Sequence, residues 1–230
     1  MFSAKENITI TNKSLRVNLC SGEGIVAAKN AGEKMGMAVK KIVPRWEWRT
    51  FRHSFGPRLD LLRDRELGNY KESREIYILS RASNSNIKVR NQTLEVKTLQ
   101  AVNEAKLEQW CPVIKACFPL TREQMVSLAD YLKTRIAVLD GAPMTLEKLL
   151  RFADNRAVSL KTVQVEKRRY IYVIEQCIVE YVRAVAGGRA FSSICVEHVD
   201  PARVAAVVKS LKLDDCSNIS YVKALKAWFF

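Results

Sequence analysis

The sequence predicts an α+β chain built on antiparallel strands, and three observations carry that expectation. Charged residues recur at every second position of strand-like segments, turn signals separate those segments, and stretches of helical spacing stand apart from them. The alternating segments are Arg45-Trp46-Glu47-Trp48-Arg49, then Ile87-Lys88-Val89-Arg90 with Leu94-Glu95-Val96-Lys97, then Val165-Glu166-Lys167-Arg168-Arg169. Side chains on a strand alternate faces, so Arg45, Glu47 and Arg49 share one face, as do Lys88 with Arg90 and Glu95 with Lys97. Two arrangements satisfy this pattern: an open sheet whose charges face water, and a barrel whose interior is charged.

The elements follow in order. Residues 1–40 are rich in Lys, Asn, Ser and Gly without a sustained apolar period and read as a loosely ordered leader. Met35 and Met37 just before the first strand leave open whether that leader is a tail or reflects an early start site. A strand is expected over Ile42–Phe51, then a basic stretch, Arg52–Arg65, with a turn at Gly56-Pro57 and a short helix around Leu59, Leu61 and Leu62. Strands follow over Arg74–Arg81, Asn86–Arg90 and Thr93–Leu99, the last two joined tightly at Asn91-Gln92. Residues of about 102–156 read as a helical insertion: Val102–Trp110, Thr121–Ala137 with Thr121 and Glu123 or Gln124 as a cap, and Thr145–Phe152. Strands resume over Ser159–Ile174, Gln176–Val185 and Phe191–Glu197, with a turn at Gly187-Gly188. A helix capped by Asp200 with Pro201 at its first position and a helical Ile219–Phe230 close the chain.

A length of 230 residues with 48% hydrophobic content allows one large domain with a real core. The formal charge of +14 makes a polyanion the natural partner: nucleic acid, an acidic membrane surface or a phosphate compound. No run reaches the roughly 18–20 apolar residues of a membrane span and no secretory signal opens the chain, so a cytoplasmic protein without a membrane partner is expected. The six cysteines show no Cys-x-x-Cys and the two histidines are far apart, so zinc spacing is absent and small buried thiols are expected.

Between about Val43 and Trp228 the order of segments resembles the CYTH superfamily, the triphosphate tunnel enzymes. The opening Glu-x-Glu-x-Lys strand of that family is matched by Arg45-x-Glu47-x-Arg49. Its basic hairpin is matched by Lys88 and Arg90 with Glu95 and Lys97, and its Lys-x-Arg-x-x-Tyr strand by Lys167, Arg169 and Tyr172. Glu180, Gly187-Gly188, the Phe191–Glu197 strand and the terminal Ser220–Leu225 segment follow in the same order. The resemblance implies an antiparallel eight-stranded β-tunnel with helices packed outside and the helical insertion between two β-halves, occupying 41–230 after the leader. It further implies a triphosphate or polyphosphate bound by Arg45, Arg49, Lys88, Arg90, Lys97, Lys167 and Arg169, and Mg²⁺ or Mn²⁺ held by Glu47, Glu95, Glu180 and Glu197, for phosphoanhydride hydrolysis.

The chain departs from the family where Arg45 replaces the first carboxylate and Ser193 and Cys195 replace the closing pair. Hard cations prefer carboxylate oxygen, so these losses favour anion binding over metal chemistry, and a non-catalytic phosphate-binding tunnel is the alternative to a hydrolase. Glu47, Glu95 and Glu180 read equally as ion-pair partners and as metal ligands, and no residue stands out as a general base. A nucleic-acid binder ranks behind both readings, because the basic residues share faces with glutamates that would repel a phosphate backbone. Trp46, Trp48 and Trp110 are expected to pack on the outer face, beneath the helices.

Overall fold

In a computed structural model, the described residues are 43–136, 143–155 and 159–230, together with the backbone of Ile25–Val26. The expected leader lies outside them except for Ile25–Val26, here β1, which pairs with Ile114 and Lys115. Eight further strands form one antiparallel sheet: β2 (Arg45–Arg52), β3 (Asn69–Ser80), β4 (Asn86–Arg90), β5 (Thr93–Val102), β6 (Glu108–Cys117), β7 (Leu160–Ile174), β8 (Cys177–Ala186) and β9 (Arg189–His198). Their spatial order is β6-β2-β9-β8-β7-β3-β4-β5, and β5 pairs back onto β6, so the sheet closes into an eight-stranded barrel.

Two-residue turns join β4 to β5, β7 to β8 and β8 to β9. In each, both central residues have positive φ: Asn91 and Gln92, Glu175 and Gln176, Gly187 and Gly188. These turns match the twist of the flanking strands. Glycine is required at Gly187 for a second reason, because a Cβ there would lie 2.6 Å from the Phe229 ring.

The structure differs from the sequence reading at Val102–Trp110. These residues are the end of β5, a turn and the start of β6. The turn is fixed by Asn103, whose Oδ1 accepts from the Leu107 amide, and by Lys106 at φ 60°. Helical spacing of Val102, Leu107 and Trp110 is incidental; in β6 the side chains of Glu108, Trp110, Ile114 and Ala116 are buried at mostly alternate positions. Pro112, which obscures the strand in the sequence, sits where the register shifts between Val96 and Lys97 and skips Val113. A one-turn helix, α1 (Asp60–Arg63), follows β2, and among the described residues helix content between the halves is confined to α2 (Arg122–Leu132) and α3 (Leu146–Ala153). α2 begins at a capping box in which Thr121 Oγ1 accepts from the Gln124 backbone amide and Gln124 Oε1 accepts from the Thr121 backbone amide.

Three apolar clusters set the barrel's surroundings. Met125, Leu128 and Leu132 of α2 and Leu149 of α3 pack on outward residues such as Ile78, Val89, Leu94 and Ile114. α4 (Pro201–Ser210), capped by Asp200 through the Ala202 amide, buries Val204, Val207 and Val208 against Trp48, Val179 and Val196 on the opposite flank, with Trp46 at the edge. Trp110 is buried and donates to Glu108. The third cluster lies at one end of the barrel. There Tyr221, Val222 and Leu225 of α5 (Tyr221–Phe229) meet inward residues Leu79, Val163, Val165, Val182 and Phe191. The Ile219 amide donates to the Arg49 carbonyl and Asn218 Oδ1 accepts from the Arg49 amide, which ties the start of α5 to β2. The apolar inward residues therefore seat a helix at one end, and the charged inward residues occupy the middle.

Candidate functional site: a charged chamber inside the barrel

Inward positions of β2, β3, β4, β5, β7, β8 and β9 enclose a chamber of about 290 Å³, lined among others by Glu47, Arg49, Glu75, Lys88, Glu95, Lys97, Lys167, Arg169, Glu180, Cys195, Glu197 and Tyr221. The period-two pattern of the sequence is thus a barrel interior. Of the cations expected to hold phosphate, Arg49, Lys88, Lys97, Lys167 and Arg169 line the chamber directly. Arg45 stands beside it, its side chain 45% exposed and 3.2 Å from Glu197, and Arg90 reaches it through Glu75 and Glu95.

The centre of the network is Glu75, which the sequence reading passed over. Its side chain is fully buried and accepts from Lys167 Nζ at 2.7 Å and from the Tyr77 hydroxyl at 3.1 Å, with Lys88 at 3.4 Å and Arg90 at 3.5 Å. Burial alone would raise the Glu75 carboxyl, but Lys167 and Lys88 hold it well below the usual carboxylate range. Glu75, Tyr77 and Leu79 share one face of β3, and that alternation was the available signal.

Each remaining carboxylate meets at least one cation. Glu180 accepts from Arg169 Nε at 2.7 Å and faces Arg49 at 3.6 Å, Glu47 pairs with Arg49 Nε at 3.0 Å, and Glu95 with Arg90 at 2.7 Å and Lys88 at 3.4 Å. Against the desolvation that raises them, these partners lower the Glu47, Glu95 and Glu180 carboxyls. Arg49 also donates to Ser193 Oγ at 3.3 Å and lies 4.7 Å from the Tyr221 ring centroid. Burial pushes the Cys195 thiol well above its ordinary value, so it is a neutral group.

In and beside the chamber, seven cations thus stand against five carboxylates: Arg49, Lys88, Arg90, Lys167 and Arg169 form one network with Glu47, Glu75, Glu95 and Glu180, Arg45 and Glu197 form a separate pair, and Lys97 stands outside both. The excess shows in the lysines. Burial, with Lys167 and Arg90 nearby, lowers Lys88 to about 8, and burial also lowers Lys167. Lys97 makes no hydrogen bond or ion pair within 4 Å among the described residues; against its burial, the more distant Glu47 and Glu197 raise its pKa.

The donor set does not fit a divalent cation as it is arranged. Glu47, Glu95, Glu180 and Glu197 each already face a guanidinium or ammonium, the Cys195 thiol is neutral, and among the described residues no three acidic, His or Cys side chains group around a common point.

An eight-stranded antiparallel barrel with helices outside it and between its halves, and with these charged rows inward, matches the architecture that the motif order implied. The fold is an α+β tunnel, a closed eight-stranded antiparallel barrel. No family model matches the sequence, and no curated protein matches it. Among solved structures it is similar to a putative adenylyl cyclase from Hippeastrum, described as having a dominant triphosphatase activity, with 15% identity, a TM-score of 0.48 and coverage of 81% of this chain and 97% of that one. It is also similar to a conserved hypothetical protein from Pyrococcus furiosus, with 15% identity, a TM-score of 0.46 and coverage of 77% and 98%. A putative adenylate cyclase from Bacillus halodurans has 14% identity, a TM-score of 0.42 and coverage of 80% and 97%. Among the described residues no helix is long and apolar enough to cross a membrane.

Proposed function

We propose that the chamber binds the oligophosphate part of a triphosphate or polyphosphate compound, with the protein's own cations doing what a divalent ion would otherwise do. The observation that carries this reading is the surplus of inward cations, above all Lys97, which lies inside the barrel with no ion-pair partner among the described residues. A phosphate oxygen would give it a charge-assisted bond, and Arg49 and Arg169 offer guanidinium forks to neighbouring oxygens. The ligand's negative charges also meet the demand that lowers Lys88 and Lys167. Metal-assisted hydrolysis is the second reading that the motif order allows, and it requires Glu47, Glu180 or Glu197 to leave its present cation.

Calorimetric titration with tripolyphosphate in the presence of a chelator tests the first reading, and binding is expected without added metal. Saturable binding that appears only with Mg²⁺ or Mn²⁺, together with phosphate release, would replace it with the hydrolase. The same titration carries a proton signature. Lys88 lies near 8 in the empty chamber and an adjacent anion raises it, so binding at pH 8 should take up a fraction of a proton. At pH 6, where Lys88 is already charged, that uptake should vanish. Comparing heats in buffers of different ionisation enthalpy measures it, and equal uptake at both pH values would remove Lys88 from the site.

A further inference from the structure

Two concavities larger than the chamber lie outside the barrel, on the face of β3, β7, β8 and β9. Strand register builds two adjacent cross-sheet rows there. One is Tyr70–Tyr170–Tyr181; the next is Glu72–Arg168–Arg183, continuing through Ser192 to Arg52. These positions have the opposite parity to Lys167, Arg169, Glu180 and Val182, so they point away from the chamber.

The tyrosines form a continuous platform, with ring centroids 5.1 Å apart for Tyr70 and Tyr170 and 5.7 Å for Tyr170 and Tyr181, the latter pair stacked. Tyr70 remains 43% exposed. A recess of about 440 Å³ opens over Tyr170 and Tyr181 and is bordered by Arg63 and Arg183, and a groove of about 850 Å³ continues past Arg168 and Arg183. Arg168 and Glu72 face each other at 3.4 Å, both 62% exposed, a pair that water and salt weaken, and Arg183 makes no ion pair among the described residues.

We propose that this outer face binds single-stranded nucleic acid, with the tyrosine row stacking bases and the arginine row following the phosphates. Two features select that occupant. Unpaired bases present flat π-faces that aromatic platforms accept regardless of sequence, whereas a duplex hides them. The arginine row runs parallel to the tyrosine row and is net positive, on a chain of formal charge +14, which complements a linear polyanion. At about 4.8 Å per strand the arginine row spans about 19 Å across five strands and the tyrosine row about 10 Å across three, enough for several phosphates and two or three stacked bases. The glutamates that oppose a phosphate backbone on the inward faces are absent from this row apart from Glu72.

Fluorescence anisotropy of a labelled 12-residue uridine oligonucleotide, measured between 50 and 200 mM salt, tests the proposal. The single strand is expected to bind at least tenfold more tightly than a duplex of equal length. The double variant Arg168→Glu/Arg183→Glu should weaken binding at least tenfold. Loss of two phosphate contacts should also reduce the salt slope by about 1.4. Tyr70→Ala should weaken binding about fivefold or more through lost stacking. Tripolyphosphate should neither displace the oligonucleotide nor bind the arginine double variant differently. The proposal is overturned if no binding occurs, if duplex binds equally well, or if tripolyphosphate displaces the strand while the double variant binds it normally. It is also overturned if sedimentation shows a second copy of the chain covering this face in a dimer that the double variant breaks.

Discussion

Glu75→Gln is expected to cost about 3–5 kcal/mol of folding stability, the usual consequence of removing one partner from a buried ion pair and leaving the other charge uncompensated. The side chain is fully buried at the point where Lys167, Lys88 and Arg90 converge, with Lys167 at 2.7 Å. A neutral amide keeps the shape and removes the charge that makes three close cations tolerable. Because the folded Glu75 carboxyl is held below its ordinary value, its contribution is complete above the unfolded carboxylate pKa of about 4.3 and is lost as pH falls toward the folded value. The gap between parent and variant in urea-denaturation midpoints should therefore be wide at pH 7 and narrower at pH 3. Tripolyphosphate should raise the variant's midpoint more than the parent's, since the variant lacks the carboxylate that competes with the ligand for Lys167 and Lys88. A change below about 0.5 kcal/mol at pH 7, or a gap independent of pH, would show that Glu75 does not hold the network together.

The division between what the sequence disclosed and what it hid follows from how local each signal is. The barrel rows were legible because alternation is a local property: Arg45, Glu47 and Arg49, or Lys88 and Arg90, declare a shared face without knowledge of any other strand. Hairpins at Asn91-Gln92 and Gly187-Gly188 were legible for the same reason, as were the caps at Thr121 and Asp200. β6 was hidden because Pro112 and the Asn103–Leu107 turn break its alternation, and only its pairing with both β5 and β2 shows that it closes the ring. Glu75 was hidden by its neighbours. Those neighbours belong to other strands: within the expected Arg74–Arg81 strand nothing marks Glu75 out, and the identity of its partners depends on β4 and β7 lying on either side of β3. The state of the carboxylates was equally out of reach. Spacing places Glu47 and Glu180 inward, but whether they face a cation or gather around a common point depends on three-dimensional distances that no single strand encodes. The outer tyrosine row needed three strands in register before it existed as a feature at all.

Lys97→Ala should leave the fold intact and strongly weaken binding in the chamber, a combination that separates a ligand-binding cation from a structural one. With no ion pair or hydrogen bond among the described residues, Lys97 contributes little that its removal would disrupt, and the unfolding free energy measured in urea is expected to change by about 0.5 kcal/mol or less. A charged hydrogen bond to phosphate contributes about 1.5–3 kcal/mol, which corresponds to about a 10- to 150-fold loss of tripolyphosphate affinity. Lys97→Arg retains the charge and should recover most of that loss, although its fork directs donors differently from an ammonium. Glu47 and Glu197, whose fields Lys97 now offsets, would be left nearer to net negative, and with one attractive charge gone the variant should also bind the anion with a shallower dependence on salt. Titration of the three proteins with tripolyphosphate under chelator supplies the comparison. Equal affinity in parent and alanine variant would remove Lys97 from the site and with it the observation on which the chamber's assignment rests. Loss of affinity accompanied by a comparable loss of stability would instead mean that Lys97 supports the barrel wall.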